Sequence, residues 1–522
     1  MSNSLFTKAM SDMTTTWNGA ESLSTPDNSG ICDGRISLFF KSVRGINIPS
    51  LYTYLSKSLN EDVIDTFLMS FHIRDCRGGK GERDLGRRCL IWLLINKPDL
   101  FEKIMNLIPE YGRWDDLLHF FPNVLNISDI DHTRQNYCSE IPNKEHLVKI
   151  NAIQTRIVKM FASQLVKDYN NMIEGNPCSL AAKWAPTEND SLDKKFGIYT
   201  TLAQEMKVSP RKLRKTFITP LRSYLMVVEK YMCNHDWEKI DYSKVPSCAM
   251  KRLKTSFEKH DNNRFTEWKL SLQKGEVKVN AKQLFPHELV NEIRTKNTAD
   301  VVCAKQWEVL ENEVNKLGSF DDCIAVVDTS ASMYVNNFIP FDVAVSLGLL
   351  ICKSSKGPFK NNVITFNSTP EFAVINDGNI FQRWQQITGI DWGGSTNIQA
   401  TFDMILTRAK RYKLKQEDMP KKMFIISDMQ FDSACEGKTN FELIEEKYQK
   451  SGYVRPQIIF WNVNGSSSDF PVSVYDNGTA LISGFSTAIM KSILEGKDFS
   501  PYSIMRSTLD DTRLQQVKSR LS

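Results

Sequence analysis

Three short segments, far apart in the chain, carry oxygen ligands of the kind that hold a hard divalent cation. Asp328-Thr-Ser330-Ala-Ser332 offers one carboxylate and two hydroxyls. Gly393-Gly394-Ser395-Thr396 adds a hydroxyl after a Gly-Gly turn, and Ser427-Asp428 a second carboxylate. Together Asp328, Ser330, Ser332, Thr396 and Asp428 can supply an all-oxygen shell. Mg²⁺ (or Mn²⁺) prefers such a shell octahedral, with positions left to water or an outside ligand. No catalytic group accompanies it. The seven His show no HExxH spacing, no GxSxG elbow occurs, and DxSxS is not the paired-Asp signature of phosphatases.

Two basic stretches suggest a different chemistry. His72-Ile-Arg74-Asp-Cys-Arg77-Gly-Gly-Lys80-Gly-Glu-Arg83-Asp-Leu-Gly-Arg87-Arg88 interrupts a helical pattern with glycines. A glycine-rich basic turn at a helix N-terminus can hold a phosphate through backbone N–H groups. It is not a P-loop, because no Ser or Thr follows Lys80; the plainer alternative is a helix–helix turn with a solvated charged face. The second stretch sets Lys207, Arg211, Lys212, Arg214, Lys215, Arg222 and Lys230 against Glu229 alone. That imbalance suits a nucleic-acid backbone, or simply a basic exposed face.

The elements that position these residues fall into two kinds. From about 35 to 300 apolar residues recur at helical spacing: Val63, Phe67, Leu68 and Phe71; then Leu85, Cys89, Leu90, Leu93 and Leu94; then Phe101, Ile104, Met105 and Ile108. Segments 147–169 and 212–232 continue the pattern. Successive short amphipathic helices predict a HEAT-like array. After about 318 the signal changes to short apolar runs, Cys323 to Val327, Asn362 to Phe366, Lys422 to Ser427 and Gln457 to Val463. Helical stretches 341–353, 397–411 and 440–450 lie between them. That alternation predicts a doubly wound, Rossmann-like parallel sheet covered by helices, with Asp328 and Asp428 at strand ends where such sheets bind ligands. The expected organisation is a mobile arm (1–33), an all-α domain (34–318), an α/β domain (319–500) and a tail (501–522).

The 522 residues are too many for one core. The net charge of +5 is uneven: residues 321–500 hold 17 Lys and Arg against 20 Asp and Glu, so the excess of positive charge lies in front. Eleven unpatterned cysteines read as reduced thiols. The polar N-terminus has no signal-peptide core, and the absence of a continuous run of about 18 apolar residues argues against a membrane span. A cytoplasmic location is expected; if the chain is viral, it includes packaging in the virion.

Asp-x-Ser-x-Ser, the distant Thr after Gly-Gly, and Ser-Asp after a strand resemble the metal-ion-dependent adhesion site (MIDAS) of von Willebrand factor A (vWA) domains. Arg77-Gly-Gly-Lys-Gly-Glu-Arg83, Tyr111-Gly-Arg-Trp-Asp-Asp116 and Leu180-Ala-Ala-Lys-Trp-Ala-Pro186 resemble the TROVE module of the Ro ribonucleoprotein autoantigen, which also carries a C-terminal vWA domain. Val245-Pro-Ser-Cys-Ala-Met250, Phe285-Pro-His-Glu-Leu-Val290 and Asp391-Trp-Gly-Gly-Ser-Thr396 look like signatures of an uncharacterised group in plants, fungi, protists and large DNA viruses that joins a TROVE-like region to a vWA domain. The resemblance covers about residues 35–500. It implies a metal site whose vacant position takes a carboxylate from a partner protein, and a helical region able to bind RNA.

Two functions follow from these observations. One is an RNA-binding scaffold, holding structured or single-stranded RNA at Arg74, Arg77, Lys80, Arg83, Arg87, Arg88, Lys207, Arg211, Lys212, Arg214, Lys215 and Arg222 while the vWA site recruits a protein. The other is a protein–protein adaptor without RNA. An enzyme is the weakest reading. Trp114, Trp184 and Trp392 are expected in cores or turns rather than as base-stacking platforms.

Overall fold

The computed structural model describes residues 13–16, 18–23, 33–121, 144–318, 320–366, 369–390, 396–432, 440–466, 470–472, 476–495 and 499–522. A hairpin, β1 (Met13–Thr15) and β2 (Glu21–Leu23), is followed by helices α1 (Gly34–Lys41), α2 (Ile48–Glu61), α3 (Val63–Arg74) and α4 (Arg83–Asn96). Next come the long α5 (Lys144–Ile173), α6 (Ser247–His260), α7 (Pro286–Lys296) and α8 (Val301–Lys316), with further helices between them. Side chains set several helix starts: Asp33, Asp62 and Asp300 each accept a backbone N–H from the first turn of α1, α3 and α8.

The C-terminal part is a mixed sheet covered by helices. Its strands are β3 (Cys323–Val327), β4 (Asn362–Thr365), β5 (Phe372–Val374), β6 (Lys422–Ser427), β7 (Gln457–Asn462) and β8 (Thr479–Ser483). They lie in the order β8-β7-β6-β3-β4-β5, all parallel except the edge strand β5. Every residue of β3 and β8 is buried, as an apolar run covered on both faces requires. Helices α9 (Val335–Ser354), α10 (Ile398–Tyr412) and α11 (Asn440–Lys450) connect the strands. From β3 the chain runs through α9 to β4 on one side, then returns through α10 to β6 on the other. The carboxyl ends of β3 and β6 therefore flank a topological switch point.

Gly348 lets α9 press onto β3, since a Cβ there would meet Val327 Cγ2 at 2.4 Å. The stretch Ala331–Ser354 has the length and mean hydropathy, 1.6, of a membrane-crossing helix. Polar residues interrupt it often enough that it does not stand out as an unbroken apolar run. Here it serves the sheet: from Pro340 to Ser354 all but Lys353 are buried.

Four expectations need correction. Residues 13–16 and 18–23 are not an arm but a hairpin docked on the α/β part, with Leu23 bridging Phe470. The tail is helical, α12 (Pro501–Leu509) and α13 (Gln515–Leu521), and α13 packs against α3. Segment 212–232 is not one helix: a π-turn (Leu213–Ile218) leads to Thr219–Tyr224, and Met226 at φ 48° breaks the chain before Val228–Cys233.

Fourth, the two parts are not separable bodies. One apolar core runs from α1–α4 through the sheet to α13, and only residues between 228 and 302 form a second cluster of their own, around Tyr242, Phe257 and Phe265. Ion pairs Arg506–Asp65 (2.7 Å) and Arg513–Asp75 cross the same junction, and Asp342 at the root of α9 takes both Arg294 (2.9 Å) and Asn291 (3.0 Å) from α7.

Candidate functional site

The oxygen-bearing residues meet at the carboxyl ends of β3 and β6. Asp328, one residue beyond β3, is fully buried; its Oδ1 accepts the Ser330 N–H at 2.9 Å and its Oδ2 the Ser427 hydroxyl at 2.5 Å. Ser330 Oγ lies 3.0 Å from Ser332 Oγ. Asp428 is 2% exposed, and its Oδ1 accepts the Gln430 N–H at 3.3 Å. Thr396, wholly buried, reaches the same loop: its Oγ1 donates to Gln430 O at 2.5 Å, and its N–H donates to Asp432 Oδ2 at 2.8 Å. All five expected residues are thus tied into one set of loops. Asp391 to Ser395, including Trp392 and the Gly-Gly turn, lie outside the described residues.

Three further participants are not among those five. Ser427 stands in the Ser-Asp motif only as the neighbour of Asp428, yet its hydroxyl locks the two strand ends together. Asp432 follows Asp428 by four residues, a second carboxylate on the same loop and a usable signal in the sequence. Asn18 Nδ2 donates to Thr396 Oγ1 at 3.0 Å from 378 residues away, which no local pattern announces.

The donors fit a hard cation. Burial raises the pKa of Asp328, and the charge of Asp432 raises it further, while the hydrogen bonds from Ser427 and Ser330 oppose both. A buried carboxylate with a second one nearby and, among the described residues, no cation hydrogen-bonded to it is an unfavourable arrangement of the kind a divalent ion would relieve. Among the described residues no group of three or more His, Cys, Asp and Glu could hold a metal.

The first basic stretch is largely internal. Arg74 is 2% exposed and pairs with Asp116 at 2.6 Å; Arg87 pairs with Asp116 at 2.6 Å and Asp115 at 2.9 Å. Lys80 is buried, its Nζ donating to Phe39 O, Ser42 O, Ser42 Oγ and, across the junction, Ser483 Oγ of β8 (2.7 Å). Burial pulls its pKa down to about 7. Four N–H groups of the glycine turn are turned inward: those of Arg77, Gly79, Lys80 and Glu82 are bonded to Asp75 Oδ1, Asp75 O, His72 O and Ile73 O. Gly79 serves this packing, because a Cβ there would lie 2.2 Å from His72 O. Arg74, Lys80 and Arg87 are therefore struts, which corrects their expected contact with RNA. Arg77 is exposed but bonded to Glu110 O and Gly112 O, Arg83 pairs with Asp84 at 3.1 Å, and Arg88 faces solvent.

The second stretch is different. Lys207, Arg211, Lys212, Arg214 and Lys215 are exposed, whereas Arg222 is held by Ala182 O (2.8 Å) and Ala185 O (3.3 Å). Arg214 and Arg222 line a cleft of 980 Å³ together with Arg77, Arg113, Lys183, Lys230 and Arg252; the acidic groups there are Glu188 and Glu229. Half-buried Trp184 also lines it, with the Arg113 guanidinium 4.7 Å from its ring centroid. An adjoining cavity of 630 Å³ shares Cys76, Arg113, Cys248 and Gln283, and adds Arg83 and Arg88.

A helical region leading into a sheet domain with an oxygen-lined switch point defines the class of architecture. Two family models match it: "Domain of unknown function (DUF2828)" over residues 130–320 and "Domain of unknown function (DUF7788)" over 322–521. The chain is 31% identical over 532 residues to "Uncharacterized protein L728" of Acanthamoeba polyphaga mimivirus, covering 97% of this chain and 89% of that protein. It belongs to the family of that viral protein.

Proposed function

We propose that the chain is a non-enzymatic RNA-binding scaffold whose α/β part is a vWA domain with a protein-docking metal site. The observation that carries the RNA reading is the cleft, where seven Lys and Arg from both basic stretches and their surroundings face two Glu. Such an excess attracts phosphodiesters and releases counterions on binding.

In the docking site, Asp328, Ser330, Ser332, Thr396 and Asp428 would hold Mg²⁺ or Mn²⁺, some through water. The bound ion would supply an open position for a carboxylate of a partner protein. Exposed Tyr334, Val335 and Phe338 follow directly on the Asp328–Ser332 loop and favour a protein surface as that partner.

The test is fluorescence anisotropy with a labelled single-stranded RNA and a structured RNA, using the full chain at about 50 mM salt, where phosphate binding is strong. Arg214→Glu with Arg252→Glu should weaken binding at least tenfold for every sequence alike. Wild-type protein that binds neither RNA would replace this function with the protein–protein adaptor.

A further inference from the structure

The hairpin β1–β2 has no part in the cleft, yet it is built onto the oxygen cluster. Asn18 Nδ2 donates to Thr396 Oγ1 at 3.0 Å and to Gln430 O at 2.8 Å. Thr16 Oγ1 donates to Phe431 O at 2.6 Å, and Gly19 forms an antiparallel bridge with Asp432. Leu23 and Phe470 exchange backbone hydrogen bonds at 2.9 and 2.7 Å, and Ser22 Oγ donates to Phe470 O at 2.8 Å. Thr16, Ala20 and Leu23 are buried, while Asn18 and Gly19 at the turn are exposed. The hairpin therefore docks firmly at its base and touches the cluster with its tip.

The contact has a chemical consequence at one atom. A threonine hydroxyl has one proton and two lone pairs. The Thr396 proton is directed to Gln430 O at 2.5 Å, with Asp432 Oδ1 next at 3.1 Å, and Asn18 occupies a lone pair. A cation bound directly by Thr396 must share the oxygen with Asn18 or displace it.

We propose that the hairpin of residues 13–16 and 18–23 forms an intramolecular cap on the oxygen cluster, with Asn18 competing with the cation for Thr396. Release of the cap opens the site to the carboxylate of a protein partner. This rests on the metal-docking function proposed above, and the two are separated by the following experiment.

Mn²⁺ is titrated into the full chain and free ion followed by electron paramagnetic resonance, while hydrogen exchange is measured over residues 13–23. Wild type is compared with Asn18→Ala, with Thr16→Val, which removes the hairpin's bond to Phe431 O and leaves Asn18 and the five oxygen-bearing residues in place, and with Asp328→Ala. The cap requires about three- to tenfold tighter Mn²⁺ binding in both hairpin variants, and faster exchange of the hairpin in wild type when Mn²⁺ is saturating. Equal affinity in wild type and both variants, abolished by Asp328→Ala, overturns the cap and leaves the docking site standing. Weaker binding in Asn18→Ala also overturns it, making Asn18 a support for Thr396. Absence of Mn²⁺ binding in every protein removes the metal site and the cap with it.

Discussion

The turn from Asp75 to Glu82 with its flanking arginines, and the segment Lys207–Lys215, are both dense in positive charge, and they do opposite things. Around the turn three of the charges point inward: Arg74 and Arg87 share Asp116, and Lys80 is ringed by four oxygens, while Arg77, Arg83 and Arg88 stay exposed. In 207–215 five cations face solvent, and among the described residues no carboxylate forms an ion pair with them. The difference lies in the partners. Asp115 and Asp116 come from a later helix start and neutralise the first group. Within 206–230 the second group has only Glu229, and that residue is engaged by Arg252 at 2.7 Å. Counting charges thus locates candidates for a polyanion, but the acidic residues elsewhere in the chain decide which of them remain available.

The most severe way to break this comparison is Arg74→Ala. Removing one member of a buried ion pair leaves Asp116 short of compensation, and the expected loss is about 3–5 kcal/mol in chemical denaturation. A change below about 1 kcal/mol would mean that the turn is not a strut.

A second effect follows from two buried histidines beside the same junction. Burial depresses His72 to about 3, with Lys80 adding to the shift, and pushes His287 well below its usual value. In both cases the unfolded chain binds the proton first, so stability is fully present above about 6.5 and falls as pH drops toward the folded values. Each contributes a slope of about 1.4 kcal/mol per pH unit in that window. Replacing His287 by Gln should flatten the acid limb by one such slope; an unchanged limb would contradict its neutral burial.

The smallest effect is reserved for the exposed segment. Arg211→Ala, Lys212→Ala and Lys215→Ala together should move stability by no more than about 0.5 kcal/mol. They should weaken RNA binding about two- to threefold and flatten the salt dependence by about 0.7 for each phosphate that is no longer neutralised. An effect equal to that of the cleft variants would place the binding surface along this segment instead.

Much of this architecture was legible. The runs 323–327, 422–427 and 457–462 are buried on both faces, so their apolar composition announces them, and helix α11 begins and ends where its periodicity does. The five oxygen-bearing residues could be placed at one end of the sheet because Asp328 and Asp428 directly follow apolar strands and Thr396 directly precedes a helix. The rest depends on contacts without a local signature. Strands of three residues, as in the hairpin, are too short to show alternation. Arg74 could not be told from a surface arginine until Asp116, 42 residues on, came to meet it. The tail became part of the core because Arg513 found Asp75, 438 residues away.

Next to the Asp328–Ser332 loop, Asn336, Asn337 and Phe338 have φ of 52°, 58° and 66°, a left-handed turn built without glycine. Such a conformation costs about 1–2 kcal/mol per residue, and Arg294 holds it, lying 4.5 Å from the Phe338 ring centroid and donating to Asn337 O. The turn works as a loaded spring whose catch sits on helix α7. Because the turn follows directly on the Asp328–Ser332 loop, the same Arg294 contacts tie that loop to the helical part. If both activities proposed above are present, linkage would make the traffic two-way: whatever RNA did to the affinity of the docking site, a docked protein would do to the affinity for RNA by the same factor.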